Sequence, residues 1–156
     1  MQPRSSPGLF VILHKTGTIR QFTLHKHERL KKQRYIDQLF QGGKSFSTFP
    51  LRVYWTLNPS PAPEPGGEKE SVLQFGAGAS KRNFKRAVDR NRIKRLLREA
   101  YRTQKLPLLH LLQESGQGYL KLFVLYTGRE LPEYQVIMEK VGAALQRIEK
   151  ELGIRN

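Results

Sequence analysis

The sequence predicts an α+β fold in which one small sheet is packed by helices on one face. Two observations carry this. Stretches rich in β-branched and aromatic residues are interleaved with stretches whose apolar residues recur every three and four positions, in the order helix, strand, strand, helix, strand, helix. The length of 156 residues suits a single core of the usual size.

Residues 1–20 have no sustained period, and Pro3, Pro7, Gly8 and Gly17 surround their one apolar run, Leu9–Leu13. They read as a flexible extension before a single domain over 21–152. That run is too short for a secretory core and far too short for a membrane span. From Glu28 to Phe40 the spacing of Ile36, Leu39 and Phe40 predicts a short helix, with Gly42 and Gly43 as a left-handed stop. Arg29, Lys31 and Lys32 crowd its start, where the helix dipole favours acids, so helix stability does not account for them.

Pro50–Leu57 (PLRVYWTL) predicts a strand, and residues 58–70, dense in Pro and Gly, a surface loop. Ser71–Ser80 (SVLQFGAGAS) predicts the next strand. Its small residues Gly76, Ala77, Gly78 and Ala79 imply close approach of another backbone or a ligand. The segment KRNFKRAVDRNRIKRLLREAYR at 81–102 predicts a helix with Ile93, Leu96, Leu97 and Ala100 in one arc and Asn91, Lys94, Arg95, Arg98 and Arg102 opposite. A loop with Pro107 and Gly116 follows, then a strand at Tyr119–Tyr126. A long helix opens at Leu131-Pro132, with Tyr134, Ile137, Met138, Val141, Leu145, Ile148 and Leu152 on its apolar face.

The charge narrows the function. With 28 Lys and Arg against 13 Asp and Glu, the chain carries a formal charge of +15 and a pI near 10.4, which makes a polyanion the expected partner. The basic helix places Arg90, Lys94, Arg98 and Arg102 at like-charge i,i+4 spacing, which costs rather than gains stability and asks for a counter-charge. Arg90-Asn91-Arg92 suits phosphate and 2′-hydroxyl contacts. Ile36, Phe40, Tyr54 and Phe75 are candidates for nucleotide stacking, with a core position as the plainer reading of each.

The chain has no cysteine, which excludes disulfides, zinc knuckles and a thiol nucleophile and suits the cytoplasm. His14, His25, His27 and His110 lack ligand spacing, and no close pair of carboxylates lies within the basic region. No metal site and no catalytic side chain are expected in the protein. On charge alone a ribosomal or assembly protein fits as well. A duplex-DNA reader is disfavoured because no turn-helix unit precedes the basic helix, and membrane binding because that helix lacks the aromatic residues of an inserting face.

The run SKRNFKRAVDRNRIKRLLREAYR at 80–102 closely resembles the signature of the bacterial ribonuclease P protein component, an Arg-Asn-Arg motif at the start of a basic helix. The likeness extends to RLKKQRYIDQLFQGGKSF at 29–46 and through the later strand and helix, over roughly residues 22–150. The resemblance implies a left-handed βαβ crossover and a protein that joins a catalytic RNA to remove the 5′ leader of precursor tRNA, with Mg2+ held mainly by the RNA. It implies RNA contacts at Lys81, Arg82, Arg86, Arg90, Asn91, Arg92, Lys94, Arg95 and Arg98, and at Arg29, Lys31 and Lys32 ahead of the first helix. It implies a cleft for the single-stranded leader at Ile36, Phe40 and Tyr54. Ile36 stands where a Phe is common.

Overall fold

The computed structural model describes residues 24–59 and 71–153. The proposed extension at 1–20 and most of the 58–70 loop lie outside them. A 3-10 turn at Lys26–Glu28 leads to α1 (Gln33–Gly42), β1 (Lys44–Thr48), β2 (Leu51–Asn58), β3 (Leu73–Ala79), α2 (Ala87–Arg102), α3 (Leu106–Ser115), β4 (Tyr119–Tyr126) and α4 (Tyr134–Leu152). The strands form one mixed sheet in the order β1-β2-β4-β3. β1, β2 and β4 pair antiparallel, while β3 and β4 pair parallel across the connection that holds α2 and α3.

Alternation along the strands divides the sheet into two unlike faces. Phe46, Val53, Trp55, Leu73, Phe75, Leu120, Leu122 and Val124 point into the main core, where Ile93, Leu97 and Ala100 of α2, Leu108 and Leu112 of α3, and Ile137, Val141 and Ile148 of α4 cover them. Phe75 stacks on Tyr101 with centroids 4.0 Å apart and planes at 5°. Phe75 is therefore a core residue and not a nucleotide platform. Tyr101, which the wheel left unassigned, is fully buried, and burial pushes its hydroxyl well above the usual tyrosine range.

Four readings are corrected by the structure. The first helix begins at Gln33 rather than Glu28, so Arg29 and Lys31 precede it and Lys32 caps it, and the helix dipole does not bear on Arg29 or Lys31. The segment read as a loop around Pro107 and Gly116 is α3, and those two residues are its boundaries. Pro107 lies in the first turn, where no N–H is needed, and Gly116 takes the left-handed conformation (φ 64°) and donates to the Leu112 carbonyl at 3.2 Å. β1 was not foreseen. It is a five-residue edge strand with only Phe46 turned to the core. Gly43 is extended (φ −80°, ψ 167°) rather than left-handed. Its missing side chain has another cause: a Cβ there would lie 2.8 Å from the Leu39 carbonyl oxygen and 3.1 Å from that of Trp55.

The second face is covered only in part. α1 lies over one end of it through Tyr35 and Leu39, which form a small cluster with Leu30 and Phe123. The rest stays open.

Candidate nucleic-acid interface

The register sets out the open face as transverse rows. Ser45, Tyr54, Phe123 and Gly76 make one, and Ser47, Arg52, Leu125 and Gly78 make the next. The Phe123 ring lies over the two glycines. A Cβ on Gly76 would meet its Cδ2 at 2.8 Å, and one on Gly78 its Cζ at 2.9 Å. The close approach inferred for the small residues of β3 is made by this side chain at both glycines and, at Gly76, also by the Leu30 backbone carbonyl oxygen at 3.0 Å. Phe40, from the last turns of α1, completes the patch: its ring is 4.6 Å from Tyr54 at 50° and 5.3 Å from Phe123 at 84°. Phe40 remains 44% exposed, which leaves a ring available for a base, and half-buried Ile36 packs beside it.

Arg52 reaches across this surface. It donates to Ser47 Oγ at 3.2 Å and to Ser45 Oγ at 3.4 Å, with its guanidinium carbon 5.7 Å from the Tyr54 ring centroid.

The two basic segments, far apart in sequence, meet beside α2. The Leu30 N–H donates to the Phe75 carbonyl at 2.8 Å, and Arg29 forms a parallel bridge with Phe75. This lays residues 29–30 along β3, next to α2. Arg29 then shares a field with Arg95 and Arg98. The half-buried Arg98 guanidinium has its pKa lowered, first by desolvation and then by repulsion from Arg29 and Arg95. A buried ion pair from Glu28 to Lys105 Nζ holds the 3-10 turn against the start of α3.

The remaining basic residues divide by what they already touch. Asn91, Arg92 and Arg95 are exposed along the middle of α2, and Lys94 is half-buried. Arg86 pairs with Asp89 at 3.2 Å, and Arg102, from the same wheel arc, with Glu99 at 2.7 Å. Arg90 Nη1 donates to the Phe84 carbonyl at 2.8 Å and the Lys85 carbonyl at 2.9 Å, so it anchors the chain entering α2. Lys81 and Arg82 are exposed in the turn after β3, Lys31 and Lys32 on the approach to α1. Among the described residues, no group of three or more His, Asp or Glu could hold a metal ion.

A family model described as Ribonuclease P matches residues 24–149 of this sequence. The chain belongs to the ribonuclease P protein family. It is 38% identical over 128 residues to the ribonuclease P protein component of Porphyromonas gingivalis, covering 81% of this chain and 87% of that one. It is 32% identical over 132 residues to that of Chlorobium phaeobacteroides, covering 81% and 88%. The ribonuclease P protein of Thermotoga maritima shares the fold with a TM-score of 0.55 at 24% identity, over 78% of this chain and 98% of that one. That of Staphylococcus aureus gives 0.53 at 20%, over 79% and 95%. Membership of this family makes the chain a protein subunit of ribonuclease P, in the processing of tRNA 5′ ends.

Within that family setting, sequence reasoning missed Phe123, Arg52 and the Glu28–Lys105 pair. For Phe123 a signal existed: in YLKLFVLY strict alternation puts Lys121, Phe123 and Leu125 on the face opposite Leu120, Leu122 and Val124. No local pattern announces a buried ion pair that closes across 77 positions.

Proposed function

We propose that this subunit binds the ribonuclease P RNA through Arg29, Lys31 and Lys32 and the exposed side of α2, and binds the 5′ leader of precursor tRNA on the open sheet face. One observation carries this: exposed Phe40 with half-buried Ile36 and Tyr54 stands on the open sheet face over buried Phe123, while Arg29, Arg95 and Arg98 lie near enough to one another beside α2 to repel. The aromatic part suits a single-stranded leader and the basic part the phosphates of the catalytic RNA. Bases stack on aromatic rings at about 1–3 kcal/mol each, and Lys and Arg neutralise phosphates with counterion release.

The chemistry of leader removal belongs, in this reading, to the RNA, with Mg2+ held there. The protein's contribution is positional and electrostatic. By holding the leader it favours precursor over mature tRNA, and by adding positive charge near the scissile phosphate it lowers the Mg2+ concentration that the RNA requires. A reducing compartment such as the cytoplasm suits the cysteine-free chain as the place of this reaction.

The test is cleavage of a 5′-extended precursor tRNA by a bacterial ribonuclease P RNA at low, near-physiological Mg2+, with and without the protein. Protein-dependent cleavage that is lost on changing Arg92 and Arg95 to Ala is the expected result. Tight RNA binding without any stimulation would instead favour a ribosomal or assembly role.

A further inference from the structure

Arg29 is exposed between buried Glu28 and buried Leu30, on extended backbone (φ −93°, ψ 129°). Successive side chains on extended backbone take opposite sides, so the two buried neighbours decide where this guanidinium points. The Leu30 N–H donates to the Phe75 carbonyl at 2.8 Å. Glu28 is held by charge. Its carboxylate pairs with Lys105 Nζ at the start of α3 and accepts the His25 N–H at 3.2 Å. Desolvation, and then the charge of Glu28, raise the Tyr101 hydroxyl pKa, which places the carboxylate beside the end of α2 as well. The basic arm at residues 29–32 is therefore tied to α2 and α3 through this one acid.

A buried ion pair is a poor means of stability, because apolar side chains of similar volume often do as well or better. It differs from them in direction. A carboxylate fixed by an ammonium and an N–H has one placement, whereas apolar contact is non-directional and lets the same segment slide. Sliding here would carry Arg29 along β3 and away from Arg95 and Arg98, whose field it now shares.

We propose that Glu28 and Lys105 are positioning residues for RNA recognition: the pair fixes the register of residues 28–30 on β3, so that Arg29 meets the same stretch of RNA backbone as Arg95 and Arg98. The inference rests on the RNA reading of the arm given above and extends it to two residues that touch no phosphate. Lys105, beyond the basic helix and 2% exposed, serves RNA binding only through Glu28.

The test is a double-mutant cycle on the affinity of the full chain for a bacterial ribonuclease P RNA, read together with its salt dependence. One side of the cycle is Arg29→Ala. The other is Glu28→Gln combined with Lys105→Met, which leaves the net charge of the protein unchanged and so preserves its general attraction for RNA. In the wild-type background Arg29→Ala is expected to weaken binding about tenfold and to reduce the salt slope by about one unit. In the combined background it is expected to weaken binding about twofold or less, since Arg29 no longer has its place there. A full tenfold loss in the combined background would show that the pair only stabilises the fold and would overturn the proposal. No effect of Arg29→Ala in the wild type would remove the arm from the RNA interface, and the positioning role with it. Should the combined variant not fold, Glu28→Asp, which keeps the charge and shortens its reach, takes its place in the cycle. The Arg29 effect should again be lost, and its survival would again count against the pair as a positioning device.

Discussion

Replacing Glu28 by Gln tests whether the basic surface depends on one buried contact. Glu28 is 7% exposed and Lys105 2%, so solvent screening that reduces a surface pair to a few tenths of a kcal/mol does not operate here. The carboxylate also accepts the His25 N–H at 3.2 Å, which closes the 3-10 turn. Removing one member of a buried pair costs about 3–5 kcal/mol, because the other charge stays in the interior without it. For a domain of this size that is a fall in melting temperature of roughly 10 °C. The double variant Glu28→Gln, Lys105→Met should recover most of the loss, since an apolar side chain can occupy the site without a charge. Thermal and urea unfolding, followed by circular dichroism, measure both. A Glu28→Gln protein as stable as the wild type, or a double variant no better than the single, would refute the reasoning. Arg29 follows Glu28 directly, so RNA affinity in the double variant reports whether the charge pair, beyond its stability, orients the arm.

Two further outcomes follow from the same structure. Ile36→Phe adds a ring beside Phe40 and Tyr54, and at about 1 kcal/mol or more per stacked base it should tighten leader binding at least fivefold; unchanged affinity in a folded variant would remove Ile36 from the cleft. Burial pushes the Glu149 carboxyl above its ordinary value of 4.5. A raised folded-state pKa means that the group favours folding below its unfolded value and opposes it once both states are ionised. Glu149→Gln should therefore raise the melting temperature at pH 7, with the gain fading as the pH falls below the carboxylate range. A gain independent of pH would show a different cause.

Much of the fold was legible because strands and helices here obey their own periods. Tyr119–Tyr126 and the long last helix lie where alternation and three-four spacing put them. What escaped has physical causes. LPLLHLLQES is apolar nearly all round, so α3 offers no contrast of faces, and the residues that bound it are those that elsewhere mark loops. β1 has one inward side chain, too few for a period to show. The site residues divide in the same way. Phe40 and Tyr54 come together on the open sheet face, their rings 4.6 Å apart. Arg90 and Arg86, identical in composition to their neighbours, turn out to hold backbone carbonyls and Asp89, a distinction set by tertiary position alone.

The distribution of acids along α2 gives the charge its sense. Its two carboxylates sit near its ends, Asp89 with Arg86 and Glu99 with Arg102, where they hold arginines in place. Between them Asn91, Arg92 and Arg95 are exposed, and half-buried Arg98 is disfavoured as a cation first by desolvation and then by repulsion from Arg29 and Arg95. Below this strip Ile93, Leu97 and Ala100 are fully buried, so the helix cannot rotate to disperse the repulsion. A rigid core thus maintains a local excess of positive charge that the free protein has no means to relieve. A polyanion that docks on the strip gains what the folded chain gave up in assembling it, and by mass action it stabilises the fold that presents the strip.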